Sequence, residues 1–135
     1  LLCREADSGK SRNVVSDLNA LASAFGICLL WDGVPKTESP QTLGLFLAAA
    51  REAVTNAAKH AGAKQLSIRV IENDASLTAS FTNDGKRPEA AVTESGGLRT
   101  LRNRIEAAGG QMQTDTDNGF SLSITVPKED ASYAV

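Results

Sequence analysis

Glu52, Asn56, Lys59 and His60 fall together in the stretch Arg51-Glu-Ala-Val-Thr-Asn-Ala-Ala-Lys-His-Ala61. At 3.6 residues per turn a helix stacks positions 52, 56 and 59 almost one above another, with position 60 beside them. Carboxylate and amide oxygens are ligands for a hard cation such as Mg2+, and a lysine one turn on suits a phosphate. The same spacing would also serve as a solvated polar face, and this stretch alone does not separate the two. Its other side is apolar at 50, 54, 57, 58 and 61, the stripe of a helix lying on a core. Alanines dominate that stripe, so the helix can approach its neighbours closely.

Two further segments carry chemistry. Glu94-Ser-Gly-Gly-Leu-Arg-Thr-Leu-Arg-Asn-Arg-Ile-Glu-Ala-Ala-Gly-Gly110 opens on a glycine pair, Gly96 and Gly97, and continues as an amphipathic helix from Leu98 to about Ala108. Leu98, Leu101, Ile105 and Ala108 form its buried stripe, and Gly109-Gly110 is its stop signal. A glycine loop entering a helix N-terminus exposes backbone N–H groups at the positive dipole end, where an anion is held. Arg99, Arg102 and Arg104 fan across the polar face, with Arg102 spaced to pair Glu106 at i+4. They read as solvated surface or as contacts to another domain. Between the helices, Phe81-Thr-Asn-Asp-Gly-Lys-Arg-Pro88 is a strand end breaking into a Gly/Pro loop.

The remaining elements must position these residues. Val14, Leu18, Leu21, Ala22 and Phe25 make a helical stripe, and Ile27–Trp31 a short buried strand ended by Asp32-Gly33. Ser39-Pro40 caps the helix that carries Glu52 and Asn56, with proline at its first position. Leu66, Ile68 and Val70 alternate as a strand whose hairpin partner holds Leu77, Ala79 and Phe81. Strands 111–116 and 120–126 are joined by Asp117-Asn-Gly119, a strong hairpin signal. The order αβαββαββ predicts an α+β, two-layer sandwich: one mixed sheet covered on one face by three helices.

At 135 residues the chain is one domain, large enough for a core without staples. A net charge of −2, with no basic patch interleaved by aromatics, argues against nucleic acid as partner. No apolar run reaches membrane-spanning length, and no signal peptide is visible. Cys3 and Cys28 lack metal or redox spacing, and Cys28 reads as a core thiol. Ser8-Gly-Lys-Ser11 matches the end of a P-loop, but Arg4 stands where its first glycine belongs and no strand precedes it. Trp31 and the other aromatics read as core.

The asparagine segment, Asn83-Asp-Gly85 and Gly96-Gly97-Leu98, in that order, resemble the ATP-binding domain of bacterial sensor histidine kinases, within the GHKL group that includes gyrase, the Hsp90 chaperones and MutL. "EAVTNAAKHA" and "GGLRTLRNRIEAAGG" are most similar to kinases whose response regulators have a helix-turn-helix output. The resemblance runs from about Asn13 to Lys128 and implies the Bergerat (GHKL) sandwich. It implies ATP and Mg2+ as cofactors, with Asn56 as metal ligand. Glu52 would orient a water or a metal-bound ligand, Lys59 would face the phosphates, and His60 would line the pocket. Asn83, Gly85, Gly96, Gly97 and Leu98 complete the implied nucleotide site. The chain departs from the family at three places: Asn83 replaces the adenine-binding aspartate, Arg87 the second glycine of the first box, and Ser95 the first glycine of the second. As an amide, Asn83 can accept from the adenine amino group and donate to a ring nitrogen.

The expected function is delivery of the ATP γ-phosphate to a histidine on a separate dimerisation domain upstream, with a response regulator as indirect partner. Residues 1–10 read as a lead-in from that domain, and the setting expected is cytoplasmic, with no direct membrane contact. A nucleotide-binding regulatory module without kinase activity, or an anti-sigma-factor-type serine kinase, are the alternatives.

Overall fold

A computed structural model describes residues 12–84, 97–115 and 121–128. The chain runs α1 (Arg12–Ala24), β1 (Cys28–Asp32), α2 (Pro40–Asn56), β2 (Gln65–Glu72), β3 (Ser76–Asn83), α3 (Gly97–Ala107), β4 (Gln111–Asp115) and β5 (Ser121–Pro127). The five strands form one sheet in the order β1-β2-β3-β5-β4. Only β1 with β2 is parallel, and α2 supplies the crossover that a parallel pair requires. β2–β3, β3–β5 and β4–β5 are antiparallel, so the sheet is mixed, as the element order predicts.

Strand alternation decides where the core lies. Leu66 and Ile68 on β2, Leu77, Ala79 and Phe81 on β3, and Leu122, Ile124 and Val126 on β5 are buried. Ser67, Arg69 and Ile71 point to the opposite, exposed face. The helices cover the apolar face only. Against it α2 sets Leu45, Phe46, Ala49, Ala50, Ala53 and Val54, and α3 sets Leu98, Leu101 and Ile105. Phe46 stands between Trp31 and Phe81, with ring centroids 6.3 and 5.8 Å away. Burying one such ring stabilises by about 1.5–3 kcal/mol.

Ser39 caps α2 through its hydroxyl, which accepts the Thr42 N–H at 3.2 Å, with Pro40 at the first helical position. Phe25 departs from expectation. It is 43% exposed, because α1 stops at Ala24 and the turn that follows rotates the ring off the helical stripe, where Val15 is buried instead. Cys28 is buried as expected but is not a free thiol: it is disulfide-bonded, and no free cysteine occurs among the described residues. It opens β1, an edge strand of the sheet among the described residues. No described helix is long and apolar enough to cross a membrane.

Candidate functional site

α2 brings Glu52 and Asn56 to the rim of the helical layer, one turn apart. Asn56 is not on a solvated face: only 8% of it is exposed. Its Nδ2 donates to the Glu52 backbone carbonyl at 2.8 Å. That bond occupies Nδ2 and leaves Oδ1 as the amide's acceptor atom. A neutral oxygen of this kind fits a hard divalent cation. Among the described residues no group of three or more His, Cys, Asp or Glu could hold a metal by itself. An ion at Asn56 would therefore draw its other ligands from elsewhere, as Mg2+ does from substrate phosphates and water.

The helix changes character at this point. Ala57–Ala61 form a π-helical turn, closed by Gly62 in the left-handed region at φ 58°. π-turns inside α-helices often mark functional sites. A wider turn advances each residue through a smaller angle, so Lys59 no longer lies directly above Glu52 as straight α-helical spacing predicts; it is exposed. The side chain of His60, together with Gly85, Arg87, Ser95, Gly96, the Asp117-Asn-Gly119 turn and residues 1–10, lies outside the described residues.

Glu52 faces the start of α3. A Cβ added at Gly97 would overlap the Glu52 carboxylate, so the carboxylate can occupy this position only while residue 97 carries no side chain. The groove between the two helices, about 280 Å³, is lined by Ala48, Arg51, Glu52, Gly97, Thr100, Leu101 and Arg104. A carboxylate thus lies beside a helix N-terminus, with two guanidinium-bearing residues on the walls. Leu98, expected for its backbone amide, also packs its side chain into the core. Arg102 takes the structural role its spacing allows: it approaches Glu106 at 3.8 Å and donates to the Met112 carbonyl at 2.8 Å, tying α3 to β4.

Asn83 ends β3, opposite Leu66, and continues the inward row of Leu77, Ala79 and Phe81. It is 5% exposed and points toward the helical layer, the side on which α2 lies. Asp84, to which the sequence pattern assigns no role, turns elsewhere. Its Oδ1 accepts the N–H groups of Lys64 and Gln65, each at 2.9 Å. The Gln65 N–H holds its carboxyl below the usual value of 3.8, against a smaller upward push from burial and with further help from the Lys64 N–H and the Lys64 charge. Of the adjacent pair, only Asn83 faces the helices. An acid directly after a strand end, able to cap a neighbouring strand, was the available signal for Asp84.

No protein-family model matches the chain. Its sequence is 34% identical over 79 residues to sensor histidine kinase DesK of Bacillus subtilis (strain 168), a match covering 57% of this chain and 21% of that protein. Its fold superposes on the histidine kinase domain of a blue-light activated histidine kinase from Erythrobacter litoralis EL346 with a TM-score of 0.68, at 19% identity, covering 87% of this chain and 59% of the other. The ATP-binding domain of PrrB from Mycobacterium tuberculosis gives a TM-score of 0.67 at 16% identity, covering 86% of this chain and 92% of that one. The fold is therefore that of a sensor histidine kinase ATP-binding domain. The matched segment spans about a fifth of the length of DesK.

Proposed function

We propose that this chain binds Mg·ATP between α2 and the 83–97 segment, and presents the γ-phosphate to a histidine on another domain of a parent sensor kinase. The observation that carries the reading is the α2 geometry: Asn56 held through Nδ2 with Oδ1 left as acceptor, one turn from a Glu52 carboxylate set against the first residue of α3. Asn56 would hold the metal, which supplies charge neutralisation between phosphates. Asn83 would read adenine from the end of β3, and the amides of Gly97 and Leu98 would face the phosphates at the α3 N-terminus. Lys59 and His60 would line the phosphate end, as would Gly85 and Gly96 in the segment between. In the transfer, an imidazole nitrogen of the acceptor bonds to the γ-phosphorus, the β–γ bridging oxygen leaves with ADP, and the imidazole proton is lost. Positioning and electrostatics dominate such steps, and Glu52 is placed to orient the acceptor or a water. Similarity to a protein named as a sensor histidine kinase supports a dimerisation domain as direct partner and a response regulator as indirect one. It also supports a cytoplasmic setting for this domain.

Calorimetric titration with ATP, with and without Mg2+, tests the reading. The chain should bind Mg·ATP in the micromolar to millimolar range with little turnover. Asn56→Ala should abolish the Mg2+ dependence while leaving the circular dichroism spectrum unchanged. An Asn56→Ala protein that binds Mg·ATP as the wild type does would mean that the metal site is misplaced.

A further inference from the structure

Asp84 sits one residue beyond the adenine-facing Asn83, yet its bonds run to the chain leaving α2. Its Oδ1 takes both the Lys64 and the Gln65 N–H, and its own N–H donates to the Gln65 carbonyl at 3.1 Å. The Lys64 carbonyl in turn accepts the Cys28 N–H at 2.8 Å, which anchors the same short segment to the edge strand. Two acceptor bonds to an ionised carboxylate are stronger than neutral ones and fix direction. The chain that leaves Asn56 reaches the strand beside Asn83 through residues 57–65: α2 ends in the π-turn, Gly62 reverses the chain, and Lys64-Gln65 enters β2 under Asp84.

We infer that Asp84 is a positioning residue for nucleotide selection, clamping the end of β3 to the chain that leaves α2 so that Asn83 is held at a fixed height relative to Asn56. The inference rests on the nucleotide-binding reading above. A binding group works only if its supporting shell holds it to within a fraction of an ångström. Without the carboxylate, the Lys64 and Gln65 N–H groups lose their acceptor, and the Asn83–Asp84 peptide keeps a single bond to β2. Asp84 itself touches no substrate. Its effect should appear at the adenine end and leave the phosphate end unchanged.

The test compares the wild type, Asp84→Ala and Asp84→Asn by titration with Mg·ATP, Mg·ADP and Mg·GTP, at a temperature where circular dichroism finds each protein folded. Asp84→Ala should weaken ATP and ADP alike by about tenfold, the scale on which loss of a supporting partner costs affinity. The preference for ATP over GTP should fall by a similar factor, which a merely stabilising role would not produce. Asp84→Asn keeps a side-chain oxygen acceptor and should recover most of both losses. If Asp84→Ala lowers the melting temperature but leaves the ATP/GTP ratio at the wild-type value, Asp84 is a structural cap and the inference is wrong. The inference fails equally if Asp84→Asn is as impaired as Asp84→Ala. Should Asp84→Ala fail to fold, the Asp84→Asn ratio decides alone: unchanged affinities with rapid amide exchange at Lys64 and Gln65 would overturn the inference. A wild type that binds no nucleotide instead removes the functional reading itself.

Discussion

At position 83, the adenine position of the proposed site, the choice between amide and carboxylate should set both affinity and stability. A hydrogen bond to a charged partner contributes about 1.5–3 kcal/mol against about 0.5–1.5 for a neutral one. Asn83→Asp should therefore tighten ATP and ADP by a similar factor, near 1 kcal/mol or severalfold. The two respond alike because adenine recognition does not involve the γ-phosphate. GTP, with a carbonyl where adenine carries its amino group, should gain nothing. The burial of Asn83 adds an outcome that spacing could not supply. A carboxylate there loses hydration when no nucleotide is bound, so the variant should melt lower than the wild type and be raised further by saturating ATP. Thermal melts with and without nucleotide, repeated at higher salt to remove long-range repulsion of phosphates, measure both effects. Equal weakening of ATP and GTP, or no change in either, would make Asn83 a turn residue.

The placement of the Glu52 carboxylate beside the start of α3 depends on one missing Cβ. Gly97 has no positive φ to require glycine, and alanine is the better helix former. Yet a methyl group there would collide with the Glu52 carboxylate. Gly97→Ala is expected to displace Glu52 and weaken Mg·ATP binding, whereas in a Glu52→Ala background the same change should cost little. Four affinities in a double-mutant cycle read the coupling directly; a penalty independent of residue 52 would place the clash elsewhere. Much at this scale was legible. The Ser39-Pro40 cap, the alternation of Leu77, Ala79 and Phe81, and the stripe of Leu98, Leu101 and Ile105 are local patterns that tertiary packing reinforces. The π-turn was not, because Ala57-Ala-Lys-His-Ala61 is an ordinary helical sequence and side-chain periodicity does not record a widened turn. Nor was the burial of Asn56, whose amide looked solvent-facing until α2 settled against the sheet. The Asp84 contacts join residues about twenty positions apart, beyond the reach of any local pattern.

Across the whole molecule β2 is the spine, fastened by an acid at either end. Near its start Asp84 receives the Lys64 and Gln65 N–H groups; at its finish Glu72 receives those of Lys36 and Thr37, at 2.7 and 3.0 Å. Glu72 also meets Lys128 Nζ at 3.5 Å, the two side chains being 10% and 16% exposed. One carboxylate therefore joins the β1–α2 connection, the end of β2 and the chain leaving β5, while the Lys128 N–H donates to the Ala75 carbonyl in the β2–β3 turn. Such a group is worth more than an exposed ion pair, since its removal strands two backbone donors and a largely covered ammonium. Glu72→Ala should destabilise the fold by about 3 kcal/mol. Glu72→Gln, which keeps oxygen acceptance without charge, should fall between it and the wild type. Urea unfolding followed by Trp31, the only tryptophan and packed against Phe46, measures this with the slope unchanged. Because Glu72 lies at the opposite end of β2 from Gln65 and Asp84, ATP affinity of the folded variant should equal that of the wild type. A fall in affinity matching the fall in stability would mean that the two ends of β2 are not independent, and that the site is held by the sheet as a whole rather than by the contacts around Asn56 and Asn83.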